Sequence, residues 1–373
     1  MHQSTIDFTP IDEAIEKAIK EDKTFPCASI LIATSEKVLY KKVFGTMTYE
    51  SDEKITEDSL FDIASVSKCV ATLPAVMKVY EEGKLDLSAL VTKYIPEFDN
   101  NGKGDITVTN LLIHNSGIPA YKPFYETLKT REEVLNAIYT CEKEYETRTK
   151  TVYSCFGFIL LAEIVKRLTG GKALEVFCSE QIFTPLGMEK TQFNPPESIR
   201  SKIVPTEIDT HYRHKLIQGE VHDETCNLLG GAGGNAGVFS NANDLVKYMQ
   251  MTLRNGTYVN SQGETCHMFK EETVKKFTAC YAGLPYDNSR ALGWDTKPKV
   301  VGRGPPCGDL FSENCFGHTG FTGTSAWADR EKDLIVILLT NRVYPNRDFT
   351  QGRILEFRPF IHDKICQLLG YSK

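Results

Sequence analysis

Strand-forming runs stand at the two ends of this chain and not in its middle, and that placement constrains the fold more than any other feature. Ala28 to Thr34 and Val38 to Phe44, joined by Ser35-Glu36-Lys37, read as a hairpin. Near the other end, the turn Asp329-Arg330-Glu331-Lys332-Asp333 leads into Leu334-Ile335-Val336-Ile337-Leu338-Leu339-Thr340-Asn341, an apolar run that reads as a buried strand. From Ser65 to about Phe239 the pattern is helices and long loops. A sheet assembled from both ends implies a discontinuous domain of residues 1–64 plus 241–373, a mainly helical insertion over residues 65–240, and a cleft between them. Helices flank the sheet: Thr9 as N-cap, Pro10 at N1 and apolar Ile11, Ala14, Ile15, Ala18 and Ile19 predict the first. Asn241 with Asp244 resembles a capping box opening a helix to Leu253, and a last helix is predicted near Ile354 to Leu369.

The insertion opens on Ser65-Val66-Ser67-Lys68. These residues follow Phe61-Asp62-Ile63-Ala64 and lead into Ala71, Leu73, Val76, Met77 and Tyr80, the pattern of a buried helix in which Pro74 marks a local conflict and a kink. One helical turn brings Ser65 and Lys68 onto one face. Apolar surroundings are expected to desolvate Lys68, favour its neutral amine, and let it take the proton of a Ser65 nucleophile. The same spacing at Ser51-Asp52-Glu53-Lys54 lies in a polar connector, so context and partners separate the two.

Two partners follow in order. Tyr153-Ser154-Cys155 sits where a loop enters a helix over Phe156 to Leu168, with Ser154 as N-cap and Gly170 as stop. A Tyr153 phenol ionised beside a Lys68 ammonium can act as general base; the structural alternative is a half-buried tyrosine with a satisfied hydroxyl. His318-Thr319-Gly320 lies in a run of small residues from Phe316 to Trp327 that suits an edge strand receiving a substrate backbone. The N–H groups of Ser65 and Phe321 are the expected oxyanion hole, while a simple bulge is the structural alternative for the glycines.

These three motifs together resemble the serine β-lactamase and penicillin-binding-protein superfamily, nearest its class C and esterase branch. The similarity runs through most of the chain: Leu111-Leu112-Ile113-His114-Asn115-Ser116-Gly117 resembles that family's LLTHTSG segment, and Val221-His222-Asp223-Glu224 with Gly230 to Ser240 resembles another. The resemblance implies a β-lactamase-like α/β (α+β) fold, an antiparallel sheet flanked by helices with a large helical insertion. It also implies Ser65 as nucleophile, Lys68 as its proton partner, Tyr153 as general base, and Cys155, His318, Thr319 and Gly320 on the substrate side.

Departures bear on specificity. Cys155 stands where relatives carry Asn, and lacks the amide that holds a substrate carbonyl. His318 stands where β-lactamases and DD-peptidases carry Lys. A histidine of ordinary pKa, about 6.5, is largely neutral at pH 7, so a substrate carboxylate loses a cation there and regains it as pH falls through that range. The expected function is a serine hydrolase working through an acyl-enzyme on a small-molecule amide; a carboxylesterase of the same fold and a catalytically silent binding or scaffold protein are the alternatives.

Bulk properties narrow the classes further. A net charge of −6 gives a nucleic-acid role little electrostatic support, and 41% hydrophobic content over 373 residues supplies a sizeable core. No segment approaches membrane-spanning length, and Met1 to Asp7 lacks a positive region before an apolar stretch, so no membrane association and a cytoplasmic location are expected. Eleven scattered cysteines without a CxxC pair then read as reduced, mostly buried thiols. No metal or cofactor is expected: His211-Tyr212-Arg213-His214 lacks companion ligands, and the Gly230 to Gly237 run lacks the Lys-Ser/Thr of a phosphate loop and reads as a tight loop under the cleft. The residues leave the oligomeric state undetermined.

Overall fold

The computed structural model describes residues 6–286, 288–298, 305–350 and 352–372, so most of the Met1 to Asp7 stretch lies outside the described residues. Six antiparallel strands form the main sheet, in the spatial order Asp295–Thr296, Cys315–Thr319, Ser325–Asp329, Leu334–Thr340, Cys27–Ala33 and Val38–Gly45. Ala28 pairs with Thr340 and with Phe44, which joins the two ends of the chain within one sheet. The neighbouring interior strands Leu334–Thr340 and Cys27–Ala33 are buried along their whole length, as their largely apolar sequences suit, because both faces are covered. Alternate residues explain how: Ile30, Ile32, Val336 and Leu338 face the helices Thr9–Lys20 and Arg353–Leu368, whereas Leu31, Ala33, Ile335 and Ile337 join the larger core of the helical region.

Several local expectations shift. The first helix runs Thr9–Lys20 with Phe8 at its N-cap, and Asp7, not Thr9, accepts the free N–H of Thr9 at 2.9 Å. Ser154 does precede the helix Cys155–Leu168, but its hydroxyl donates to Pro119 O at 2.6 Å and leaves the cap unmade. Asn241 accepts the Asp244 N–H at 2.9 Å, while the Asp244 carboxylate turns away to Thr191 and Lys190, giving half a capping box. The stretch from Phe316 to Trp327 is not one edge strand. It is two strands around a tight turn in which Gly320 N–H bonds Thr324 O and Gly323 N–H bonds Gly320 O, and Asp295–Thr296 covers Phe316 and Gly317. Beyond Gly317, His318 and Thr319 have no strand partner along that side among the described residues.

Pro74 conflicts with helix continuation because it has no N–H. The chain answers with a π-helical turn over Lys68–Thr72, in which the Leu73 N–H reaches Lys68 O, before the regular helix Leu73–Glu81. Further stability comes from a small sheet ordered Phe61–Asp62, Val238–Ser240 and Gln192–Phe193, which ties the start of the helical region to its end, and the Val238 N–H adds a bond to Ser67 Oγ at 3.1 Å. Among the described residues no helix is long and apolar enough to cross a membrane.

Candidate active site

Ser65 projects from a braced elbow. Ala64 takes φ +47°, a conformation that disfavours a side chain and that persists only where neighbours enforce it. The buried Asp62 carboxylate accepts the Ala64 N–H at 2.8 Å and the His222 N–H at 2.6 Å. From the sheet side, Thr322 Oγ1 donates to Asp62 O at 2.7 Å and Thr324 Oγ1 to Ile63 O at 2.9 Å. Gly320 lies so close that a Cβ there would stand 2.5 Å from Ile63 O and 2.1 Å from Thr324 Oγ1, which explains the glycine.

Three side chains converge on this elbow. Tyr153 Oη donates to Ser65 Oγ at 2.7 Å, and Lys68 Nζ donates to the same oxygen at 3.0 Å, to Asn235 O at 2.6 Å and to Cys155 Sγ at 3.6 Å. Ser65 thus accepts from both partners. Tyr153 is held by His114: the Val152 N–H bonds His114 O, the Ser154 N–H bonds His114 Nδ1, and the rings lie 4.7 Å apart. The charge state differs from the neutral amine expected of Lys68. Burial, at 0% exposure, opposes its charge, but Cys155, Tyr153 and Asp223 outweigh that penalty and hold Lys68 above the ordinary lysine range. Burial likewise raises the Tyr153 phenol, against the opposing pull of Lys68. The resting trio is therefore ammonium, phenol and hydroxyl, and the first proton to leave belongs to the group as a whole.

His318 is likewise altered by its surroundings. At 3% exposure, burial and then the Lys68 and Arg290 cations push it down to about 3, so the titration near neutrality expected from an unperturbed histidine is removed. Its Nδ1 lies 2.7 Å from Thr319 O, an acceptor, which makes Nδ1 the protonated nitrogen; Nε2 is buried without a partner among the described residues.

Two cavities meet at Ser65, Tyr153 and Phe321. The first, about 330 Å³, adds His318, Thr319, Gly320, Arg290, Arg342 and Arg358. The second, about 310 Å³, adds Cys155, Tyr121, His222, Asp223, Glu224 and Arg347. The N–H groups of Ser65 and Phe321 have no hydrogen-bond partner among the described residues, as an oxyanion site requires. The Phe321 ring, 49% exposed, is flanked by Arg342 at 4.4 Å and His222 at 5.6 Å.

Ser65, Tyr153, Cys155, His318, Thr319, Gly320 and Phe321 thus line one cleft, with Lys68 bonded to Ser65 behind it. The sequence reading missed Arg290, Arg342, Arg347 and Arg358, and found no task for His114 or Asn235. No spacing signals them: Arg290 and Arg358 approach the site through the fold alone. Asn235, whose backbone oxygen holds Lys68, lies within the glycine-rich run read as a tight loop under the cleft, and that loop is where the structure puts it.

The comparisons with known proteins extend this geometry. Residues 13–358 match the Beta-lactamase family model. The chain is 32% identical to the N-acetylmuramyl-L-alanine amidase of Bacillus subtilis (strain 168), with 91% of this chain and 82% of that protein covered. It is 31% identical to an Escherichia coli (strain K12) protein provisionally named D-alanyl-D-alanine carboxypeptidase, over 86% of this chain and 79% of the other. Among solved structures, EstCE1, a hydrolase with promiscuous acyltransferase activity, superposes with a TM-score of 0.73 at 20% identity, covering 95% of this chain and 98% of that one, and shows the shared fold. Family match, fold and the convergence on Ser65 agree: the chain belongs to the β-lactamase family and is a serine hydrolase of the β-lactamase and penicillin-binding-protein type.

Proposed function

We propose that Ser65 is the acyl-accepting nucleophile, that Lys68 and Tyr153 together manage its proton, and that the substrate is an amide of the peptidoglycan type. The observation that carries this reading is the double contact on Ser65 Oγ, from Tyr153 Oη at 2.7 Å and Lys68 Nζ at 3.0 Å. Once the trio loses one proton, the phenolate beside the Lys68 ammonium accepts the Ser65 proton as Oγ attacks the substrate carbonyl. The Ser65 and Phe321 N–H groups hold the oxyanion. Collapse of that intermediate breaks the C–N bond while Tyr153 gives its proton to the departing amine. Water then attacks the ester as Tyr153 takes its proton, and when the C–O bond breaks Tyr153 hands that proton to Ser65 Oγ, releasing the acid product and restoring the hydroxyl and the phenolate. The cleft lies between a sheet portion, residues 1–64 with 241–373, and the helical portion, residues 65–240. The names of the 32% and 31% identical relatives, one an amidase and one provisionally a carboxypeptidase, support the peptidoglycan-type substrate.

Intact-mass measurement after a fluorophosphonate, followed by peptide mapping, tests the nucleophile: one adduct on Ser65 is expected, and full labelling of Ser65→Ala would sink the assignment. Lys68→Met and Tyr153→Phe should each lower turnover by about three orders of magnitude or more, and the double variant little further, since they act as one unit. Cleanly multiplicative losses would mean separate roles. Because the trio is fully protonated at rest, kcat/KM should climb with pH above neutrality, and a profile flat from pH 7 to 9 would contradict the proton assignment.

A further inference from the structure

The first cavity holds three buried or half-buried groups whose hydrogen-bonding or charge needs go unmet. His318 Nε2 has no partner among the described residues, and because Nδ1 is committed to Thr319 O it can only accept. Arg358, 5% exposed, spends Nη2 on Gly320 O and Thr324 O at 2.9 Å each, while its Nε has no partner and no carboxylate lies within ion-pair distance among the described residues. Arg342 donates to Phe321 O and Arg347 O, again with no carboxylate partner among the described residues. By contrast, Arg290 in the same cavity is paired with Asp295. Buried polar groups are normally satisfied, and an uncompensated guanidinium is costly, so a ligand is the natural source of the missing partners.

We propose that the leaving group is a peptide continuing beyond its first residue: its next backbone N–H donates to His318 Nε2, and a carboxylate further along meets Arg342 and Arg358. This deepens the function proposed above and rests on it. A free carboxylate at the first residue faces the wrong group at His318, a lone pair instead of an ammonium. Protonating His318 to receive that anion is disfavoured because burial and the nearby Lys68 and Arg290 already oppose the cation. The geometry therefore favours an amidase that releases a peptide over a carboxypeptidase that releases one amino acid. The chemistry at the scissile bond is unchanged: the C–N bond breaks and the new amine leaves with the proton from Tyr153.

A competition assay on the full chain tests this. N-acetylmuramoyl and N-acetyl-D-alanyl acyl groups are each joined to alanine, alaninamide, Ala-Glu and Ala-Gln, mixed at equal concentration, and released amines are followed by mass spectrometry alongside fluorophosphonate labelling of Ser65. In the series that turns over, Ala-Glu should leave with kcat/KM at least about tenfold above alanine, with alaninamide above alanine and Ala-Glu above Ala-Gln. His318→Lys should move the alanine-to-alaninamide ratio about tenfold toward the free carboxylate. Labelled Ser65 with alanine released fastest, with no leaving group released, or with ratios indifferent to His318→Lys, overturns the extended leaving group and leaves the nucleophile standing. Failure of wild type to label at Ser65 overturns both.

Discussion

The two cavities that meet at Ser65 are built on opposite electrostatic plans. On the Cys155 side, Arg347 is chelated by Glu207 and bonded to Glu224, and His222 Nε2 lies 2.7 Å from Glu207 Oε2, so charge is largely balanced within the protein. On the His318 side, Arg342 and Arg358 have only carbonyl partners among the described residues, and His318 keeps an unused lone pair. The difference teaches that one wall is finished by folding and the other is finished by a ligand. Stability should therefore depend on the first wall and selectivity on the second.

The largest expected effect breaks the balanced wall. Glu207 is 2% exposed, and although burial favours its neutral form, bonds from His222 and Arg347 prevail and hold it down to about 2. Glu207→Gln should cost roughly 3–5 kcal/mol of unfolding free energy at pH 7, read from urea titration, because Arg347 loses its main partner. The same depressed carboxyl contributes stability that is present above its unfolded value of about 4.3 and is lost as pH falls toward 2. Wild type should weaken over that acid window and Glu207→Gln should not share that component; parallel acid titrations of the two would remove the argument.

Next in size is the contact that links the second wall to Ser65. Gly320→Ala places a Cβ 2.5 Å from Ile63 O, so the turn or the Ser65 elbow must shift. A loss of about 1–3 kcal/mol in stability is expected, with fluorophosphonate labelling slowed more than that loss alone explains. Normal labelling kinetics would mean that Gly320 does not set the elbow.

Smaller still is the stability change on removing an unneutralised charge. Arg342→Gln should leave unfolding free energy within about 1 kcal/mol of wild type, in contrast to Glu207→Gln, since no ion pair is broken. A loss comparable to that of Glu207→Gln would erase the distinction between the walls.

The smallest effect sharpens the contrast by being absent. With His318 pushed down to about 3, the ratio of activity on a carboxylate-bearing substrate to that on its neutral amide should stay flat from pH 5 to 8, since the imidazole remains uncharged throughout. A ratio that rises as pH falls through 6.5 would show an ordinary histidine at that place.

Much of the site was legible because it is local. The i, i+3 spacing of Ser65 and Lys68, the helix entry at Tyr153 and the small residues around Gly320 each encode a conformation within a few positions, and each sits in the cleft as the resemblance implied. The strands were legible for the same reason, since Cys27–Ala33 and Leu334–Thr340 show their burial as largely apolar runs. Where the reading failed, the deciding partner was distant. Ser154 did not cap its helix because its hydroxyl donates to Pro119 O, 35 positions away in the chain.

By itself the sequence determined the residue types, their order and the periodicity of the elements that carry them, which suffices for the family, the sheet drawn from both chain ends and the proposal of Ser65 with Lys68 and Tyr153 beside it. Only the tertiary structure decided the charge of those groups. Lys68 keeps its proton and His318 loses the ability to gain one in the same buried space, because a pKa reports burial and nearby charge: Cys155, Tyr153 and Asp223 act on Lys68, and burial with Lys68 and Arg290 acts on His318, groups drawn from four separate parts of the chain.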